Sequence, residues 1–137
     1  MLKIFLSSHG SMASGMQSSL KILMGECENL TVFDAYVDEK SLNDALDAFF
    51  QTVGEKDQAI LISDMYGGSV NSTMYTYLDR SNTTLVAGVN LALVISLTIL
   101  EGDITRETLE SVIEQSREAI RIVDLEKSGE EEEDELF

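Results

Sequence analysis

Four short apolar stretches constrain the fold of this chain more than any other feature. They cover residues 2–6, 30–36, 58–63 and 84–89. Their apolar character is continuous rather than alternating, which is typical of parallel strands buried on both faces of a sheet. The segments between them are long enough to hold the helical crossovers that parallel strands require. The pattern therefore predicts an α/β fold with a mainly parallel sheet.

The segments between these stretches carry apolar residues at helical spacing. Residues 91–100 are almost wholly apolar, and we interpret them as a buried helix rather than a strand. Strands that alternate with helices predict a doubly wound, four-stranded sheet of order 2-1-3-4, with helices on both faces. Residues 121–125 are a candidate for an antiparallel edge strand. The expected helix boundaries are stops at Gly25 and Gly102, and starts at Ser41, near Ser69, at Asn90 and at Thr105.

Length and cysteine content bound the class of protein. The 137 residues are 44% hydrophobic, which predicts one domain with a substantial core. No apolar stretch reaches the roughly 20 residues of a membrane-spanning helix. The N-terminal stretch lacks a cleavage-site pattern, and Cys27 is the only cysteine, so an internal disulfide is not possible. We therefore expect a cytoplasmic protein.

The charge balance is strongly acidic. Asp and Glu number 25 against 9 Lys and Arg, a formal net charge of −16. Such a balance argues against nucleic-acid binding and favours partners that have a basic surface. Residues 126–137 alone hold seven acidic residues and one lysine. We expect them to form a disordered acidic tail that follows a folded domain of residues 1–125.

The only histidine of the chain stands at the end of the first predicted strand. His9 is followed by a glycine and a helical pattern, and Asp64 follows the third predicted strand in the same way. In a sheet of order 2-1-3-4 these strands are neighbours, so both side chains project at the topological switch point, where doubly wound proteins bind ligands. A lone histidine excludes most zinc sites, and neither a metal nor another cofactor is expected.

A carboxylate beside an imidazole fixes its tautomer and leaves the second ring nitrogen free to attack. Each of the two strand ends also leads into a Gly-Ser pair, Gly10–Ser11 and Gly68–Ser69. Backbone amides at such strand–helix turns commonly bind phosphoryl oxygens. These features together predict a phosphohistidine site with His9 as nucleophile, Asp64 as orienting group and the two turns as phosphoryl-binding elements.

Three motifs resemble one known family. They are Ser-His-Gly at residues 8–10, Ser-Asp-Met-Tyr-Gly-Gly-Ser-Val-Asn at 63–71 and Gly-Val-Asn-Leu at 88–91. In this order and at these strand ends they are similar to the IIA component of mannose-class (mannose, fructose and sorbose) sugar phosphotransferase systems. The resemblance covers residues 1–125. Val70 and Ala92 depart from the family, which often has proline at both positions.

The resemblance implies a phosphotransferase role. The histidine matching His9 would accept a phosphoryl group from the phosphocarrier protein HPr. It would then pass the group to a histidine of the IIB component, which serves the membrane components IIC and IID in sugar uptake. Asp64 would orient the imidazole, and Ser69 would contact the phosphoryl group. Family members form homodimers that exchange a C-terminal strand, for which residues 121–125 are the candidate.

Two other functions stay open from the sequence. The phosphocarrier subunit of dihydroxyacetone kinase systems begins with a similar domain, although the motifs at 67–69 and 88–91 favour the sugar branch. Alternatively, the chain is a regulatory binding module whose phosphorylation state is read by a partner, without onward transfer. The sequence alone leaves open the transported sugar and the ring nitrogen of His9 that carries the phosphoryl group.

Overall fold

A computed structural model describes residues 1–125 of the chain, and the acidic segment 126–137 lies outside the described residues. Strands and helices alternate through the fourth strand, after which two helices follow. In chain order the elements are β1 (Leu2–His9), α1 (Met12–Met24), β2 (Leu30–Ala35), α2 (Leu42–Gln51), β3 (Gln58–Ser63), α3 (Ser69–Tyr75), β4 (Thr83–Ala87), α4 (Leu91–Thr98) and α5 (Arg106–Glu118).

The four strands form one parallel sheet of order β2-β1-β3-β4. The predicted order and fold class are therefore confirmed. Strand β1 lies between β2 and β3; the connection after β1 runs to β2 on one side, and the connection after β3 runs to β4 on the other. The register places Ser7 opposite both Phe33 and Ser63, so these three strands end near one another.

Two apolar cores lie on the two faces of this sheet. Successive β1 side chains point to opposite faces. Ile4 and Leu6 pack with α1, α4 and α5, whereas Phe5 packs with α2 and α3. Burial of both faces explains why the strands are continuously apolar. Among the described residues, no helix is long and apolar enough to cross a membrane.

The predicted helix start near Ser69 is confirmed without a side-chain cap, and the other predicted starts are confirmed by side-chain caps. The side chain of Ser41 accepts a hydrogen bond from the amide of Asp44 at 3.0 Å, and Asn90 accepts one from Leu93 at 2.9 Å. Thr105 caps α5 in the same way. Such caps satisfy amides that have no acceptor within the helix.

Several boundaries differ from those expected. Strand β4 covers Thr83–Ala87 rather than 84–89, and α4 ends at Thr98, before the expected stop at Gly102. Residues 121–125 form no strand within the described chain and are exposed. An edge strand that is completed only by exchange with a second subunit has no partner in one chain. The exchange therefore stays a prediction.

Candidate functional site

The site lies at the carboxyl edge of the sheet, where β1 and β3 end side by side. His9 is the last residue of β1, and Asp64 directly follows β3. The connections that follow β1 and β3 run in opposite directions here, which opens the crevice typical of a topological switch point. The predicted juxtaposition of these two residues is therefore present in the structure.

Two hydrogen bonds join His9 to one carboxylate oxygen of Asp64. The backbone amide of His9 donates to Oδ2 at 2.8 Å, and Nδ1 of the ring lies 2.7 Å from the same oxygen. Because an ionised carboxylate can only accept, Nδ1 carries the hydrogen and donates it. The lone pair of the neutral ring is then on Nε2, which faces away from Asp64.

The surroundings favour the ionised form of Asp64. Burial opposes ionisation, since its side chain is only 11% exposed. The hydrogen bonds from the amide and the ring of His9 outweigh that effect and hold the pKa of Asp64 below its ordinary value of 3.8. Among the described residues, its second oxygen, Oδ1, is buried without a hydrogen-bond partner. Asp64 is therefore a fixed anion at neutral pH.

Ser69 contacts the other ring nitrogen. It is the first residue of α3, and its Oγ lies 3.2 Å from Nε2 of His9. Gly68, the N-cap of α3, approaches the ring closely as well. A Cβ at position 68 would lie 3.4 Å from Cε1 of His9 and 3.0 Å from Cγ of Met65. The absence of a side chain at Gly68 thus leaves room for the side chain of Met65 beside the imidazole.

The turn after β1 is arranged differently from the sequence-based expectation. The amide of Gly10, which has a left-handed φ of 65°, donates to the carbonyl of Ala35 at 2.8 Å. It is therefore not a free donor for a phosphoryl oxygen. Ser11 occupies the N-cap position of α1 without making a side-chain cap; instead, Ser8 Oγ accepts from the amide of Ala13 at 2.8 Å. Neither Gly10 nor Ser11 contributes a hydrogen bond to the imidazole.

One residue of the site has no role in the sequence analysis. Tyr36 directly follows β2, its ring centroid lies 5.3 Å from that of His9, and its hydroxyl lies 2.7 Å from Oγ of Ser69. Its φ of 67° is in the left-handed region, which costs a non-glycine residue about 1–2 kcal/mol. The sequence indicates only that Tyr36 lies at a strand end beside β1.

The fold and the site define a class: a doubly wound α/β protein with a carboxylate-oriented histidine at the switch point of its sheet. No group of three or more His, Cys, Asp or Glu side chains within residues 1–125 could hold a metal ion. The imidazole is 42% exposed and open to a reactant from solvent. The site thus presents an imidazole that is held by Asp64 and accessible from solvent.

Comparison with known proteins gives the family. The family model described as "PTS system fructose IIA component" matches residues 3–116. The chain therefore belongs to this family of phosphotransferase system IIA components, in the mannose class. Comparison with curated protein sequences gives no significant match.

Solved structures agree with this family. A Klebsiella pneumoniae protein described as a phosphoenolpyruvate-dependent sugar phosphotransferase system permease is 29% identical, with a TM-score of 0.80 over 88% of this chain and 90% of its own. The mannose/sorbose specific IIA subunit from Enterococcus faecalis is 22% identical, with a TM-score of 0.78 over 92% and 97% of the two chains. Component EIIA from Streptococcus agalactiae is 24% identical, with a TM-score of 0.71 over 90% and 97%. The last two similarities concern the fold alone.

Proposed function

We propose that this chain is a phosphocarrier that accepts a phosphoryl group from phospho-HPr on His9 and passes it to a histidine of the IIB component. The observation that carries the proposal is the pair of contacts at the imidazole. Asp64 holds the hydrogen on Nδ1, and the lone pair on Nε2 faces the hydroxyl of Ser69. A nucleophile with a fixed tautomer beside a hydrogen-bond donor suits phosphoryl transfer.

The transfer that we propose is an in-line displacement between two imidazoles. The Nε2 lone pair of His9 forms the new N–P bond while the N–P bond of the donor histidine breaks and returns its electron pair to the donor ring. The proton on Nδ1 stays in place, and the fixed charge of Asp64 stabilises the positive charge that develops on the ring. In the onward step, the IIB histidine forms the new N–P bond while the N–P bond to His9 breaks and returns its electron pair to the His9 ring.

The turn between β3 and α3 provides candidate hydrogen-bond donors for the phosphoryl group. We expect the hydroxyl of Ser69 to donate to a phosphoryl oxygen once Nε2 is occupied. The first amides of a helix lack acceptors within the helix, so those at the start of α3 are further candidate donors. The side chains of Met65 and Tyr66 are exposed beside this turn and are candidates for contact with the protein partners.

We also propose a location, a functional domain and an assembly for the chain. IIB discharges the phosphoryl group for the membrane components IIC and IID, so we place the chain on the cytoplasmic side with no direct contact to the sugar. We propose residues 1–125 as the functional domain and a homodimer as its assembly. Phosphotransferase activity requires no metal or other cofactor here, because the group arrives already activated on a histidine.

The test is an intact-mass measurement after incubation with phosphoenolpyruvate, Enzyme I and HPr. The wild-type chain should gain one acid-labile phosphoryl group and His9→Ala none. Addition of a cognate IIB should then discharge the wild type. Stable phosphorylation that IIB does not discharge favours a regulatory module, and discharge only to dihydroxyacetone kinase subunits favours the kinase branch. An unmodified wild type beside phosphorylated HPr would contradict the proposal.

A further inference from the structure

Tyr36 is connected to the imidazole through the hydroxyl of Ser69. Its phenolic oxygen lies 2.7 Å from Oγ of Ser69, which in turn lies 3.2 Å from Nε2 of His9. Tyr36 as a residue is 65% exposed, so burial of the ring does not force this contact. The hydrogen bond to Ser69 is therefore a specific interaction rather than a consequence of core packing.

The directions of these hydrogen bonds follow from Asp64. Because the carboxylate keeps the hydrogen on Nδ1, Nε2 of the neutral ring can only accept, and Ser69 must donate to it. The serine oxygen has then used its only hydrogen, so the hydroxyl of Tyr36 must donate to Ser69. The three groups form a one-way chain from Tyr36 through Ser69 to the reactive nitrogen.

The backbone holds Tyr36 at this place. The carbonyl of Ala35 accepts the amide of Gly10 at 2.8 Å, which ties the end of β2 to the turn that carries His9. The left-handed φ of Tyr36 is one of only two among the non-glycine residues of the described chain. A strained conformation persists where surrounding contacts fix it, and such positions cluster at functional sites.

We propose that Tyr36 is a positioning residue for the phosphoryl transfer, and the proposal rests on the function proposed above. When the Nε2 lone pair forms the N–P bond, the Ser69 hydroxyl loses its acceptor and must turn toward a phosphoryl oxygen. The hydrogen bond from Tyr36 keeps Oγ in place while its hydrogen turns. Tyr36 thus maintains Ser69 as a donor in both the free and the phosphorylated protein.

The test compares the rate of phosphorylation by phospho-HPr in four proteins: wild type, Tyr36→Phe, Ser69→Ala and the double variant. Tyr36→Phe retains the ring and should lower the maximal single-turnover rate constant about fivefold to tenfold, the effect of one lost hydrogen bond, with the HPr concentration that gives half the maximal rate unchanged. Because Tyr36 acts through Ser69, the double variant should be no slower than Ser69→Ala. Tyr75→Phe, at the far end of α3, is the matched control and should match wild type.

Three results would overturn the proposal: an unchanged rate constant in Tyr36→Phe, a change only in the HPr concentration that gives half the maximal rate, or a further loss on adding Tyr36→Phe to Ser69→Ala. A second measurement needs no phosphoryl donor. His9 is the only histidine, so its Nε2 gives a single ¹⁵N resonance. In Tyr36→Phe this resonance should move toward the value of a nitrogen that accepts no hydrogen bond.

The two measurements separate the two proposals. If HPr does not phosphorylate the wild type, the proposed function fails, and the Nε2 resonance alone decides whether Tyr36 positions Ser69. An unchanged resonance then overturns the positioning role. If HPr does phosphorylate the wild type, the kinetic comparison decides, and an unchanged rate overturns the role whatever the resonance does.

Discussion

The two turns at the carboxyl edge of the sheet have similar sequences but contribute differently to the site. Residues 9–11 carry the histidine, yet the amide of Gly10 is used by Ala35 and Ser11 makes no capping hydrogen bond. Residues 64–69 supply Asp64 and Ser69, which contact both nitrogens of the ring. A glycine–serine pair after a strand therefore does not by itself make a site: the amide of Gly10 is already used by the fold, and Ser11 makes no hydrogen bond to the imidazole, whereas Ser69 does.

The largest effect is expected from the carboxylate of the second turn. Asp64→Asn keeps the shape of the side chain but removes its charge, so the Nδ1 hydrogen and the developing positive charge lose their fixed partner. Phosphoryl acceptance from HPr should slow about 100-fold or more. Quench-flow measurement of the phosphorylated fraction checks this value. Asp34→Asn is the matched control, because that carboxylate contacts Ser14 and not His9; an equal loss in both variants would contradict the orienting role.

Asp64 also links stability to pH. Its pKa is lower in the folded chain than the ordinary value of 3.8, because the hydrogen bonds from His9 outweigh the effect of burial. The unfolded chain therefore binds the proton first as pH falls. The stabilisation by Asp64 is present above pH 3.8 and is lost as pH falls through the lower pKa of the folded chain. Urea unfolding at pH 7 and at pH 3 should show that the stability advantage of wild type over Asp64→Asn is smaller in acid. An advantage that grows in acid would contradict this sign.

The parts of the site that the sequence predicts are those that depend on strand order alone. Parallel strands end at a common edge, so His9 and Asp64 had to meet once β1 and β3 were neighbours. The use of the Gly10 amide was not predictable, because it depends on the register that brings the carbonyl of Ala35 beside it. Tyr36 was missed for a similar reason: its contact with Ser69 requires a left-handed φ that nothing in the local sequence demands.

The two turn glycines should respond differently to alanine. Gly68→Ala places a Cβ 3.0 Å from Cγ of Met65 and 3.4 Å from Cε1 of His9, so the side chain of Met65 must shift beside the imidazole, and phosphoryl acceptance should slow by up to about tenfold. Its φ of −78° suits any residue, so stability should change little. Gly10→Ala meets no atom but forces a left-handed φ on alanine, so it should lower the free energy of unfolding by about 1 kcal/mol. The free energy of unfolding and the rate of phosphoryl acceptance are measured for both variants. The prediction is wrong if Gly10→Ala accepts the phosphoryl group more slowly than Gly68→Ala and Gly68→Ala is the less stable of the two.

The smallest expected effect separates the two serines beside His9. Ser8 accepts the hydrogen bond from the amide of Ala13, so Ser8→Ala leaves an amide in the first turn of α1 without its acceptor. That loss should lower the free energy of unfolding by about 1 kcal/mol. Ser11→Ala removes a hydroxyl that makes no capping bond and should change it by less than about 0.5 kcal/mol. Urea unfolding of both variants distinguishes these values. Equal losses in the two variants would mean that Ser11, despite its exposed position, contributes to the start of α1. The turn at residues 9–11 would then differ less from the turn at residues 64–69 than the hydrogen bonds indicate.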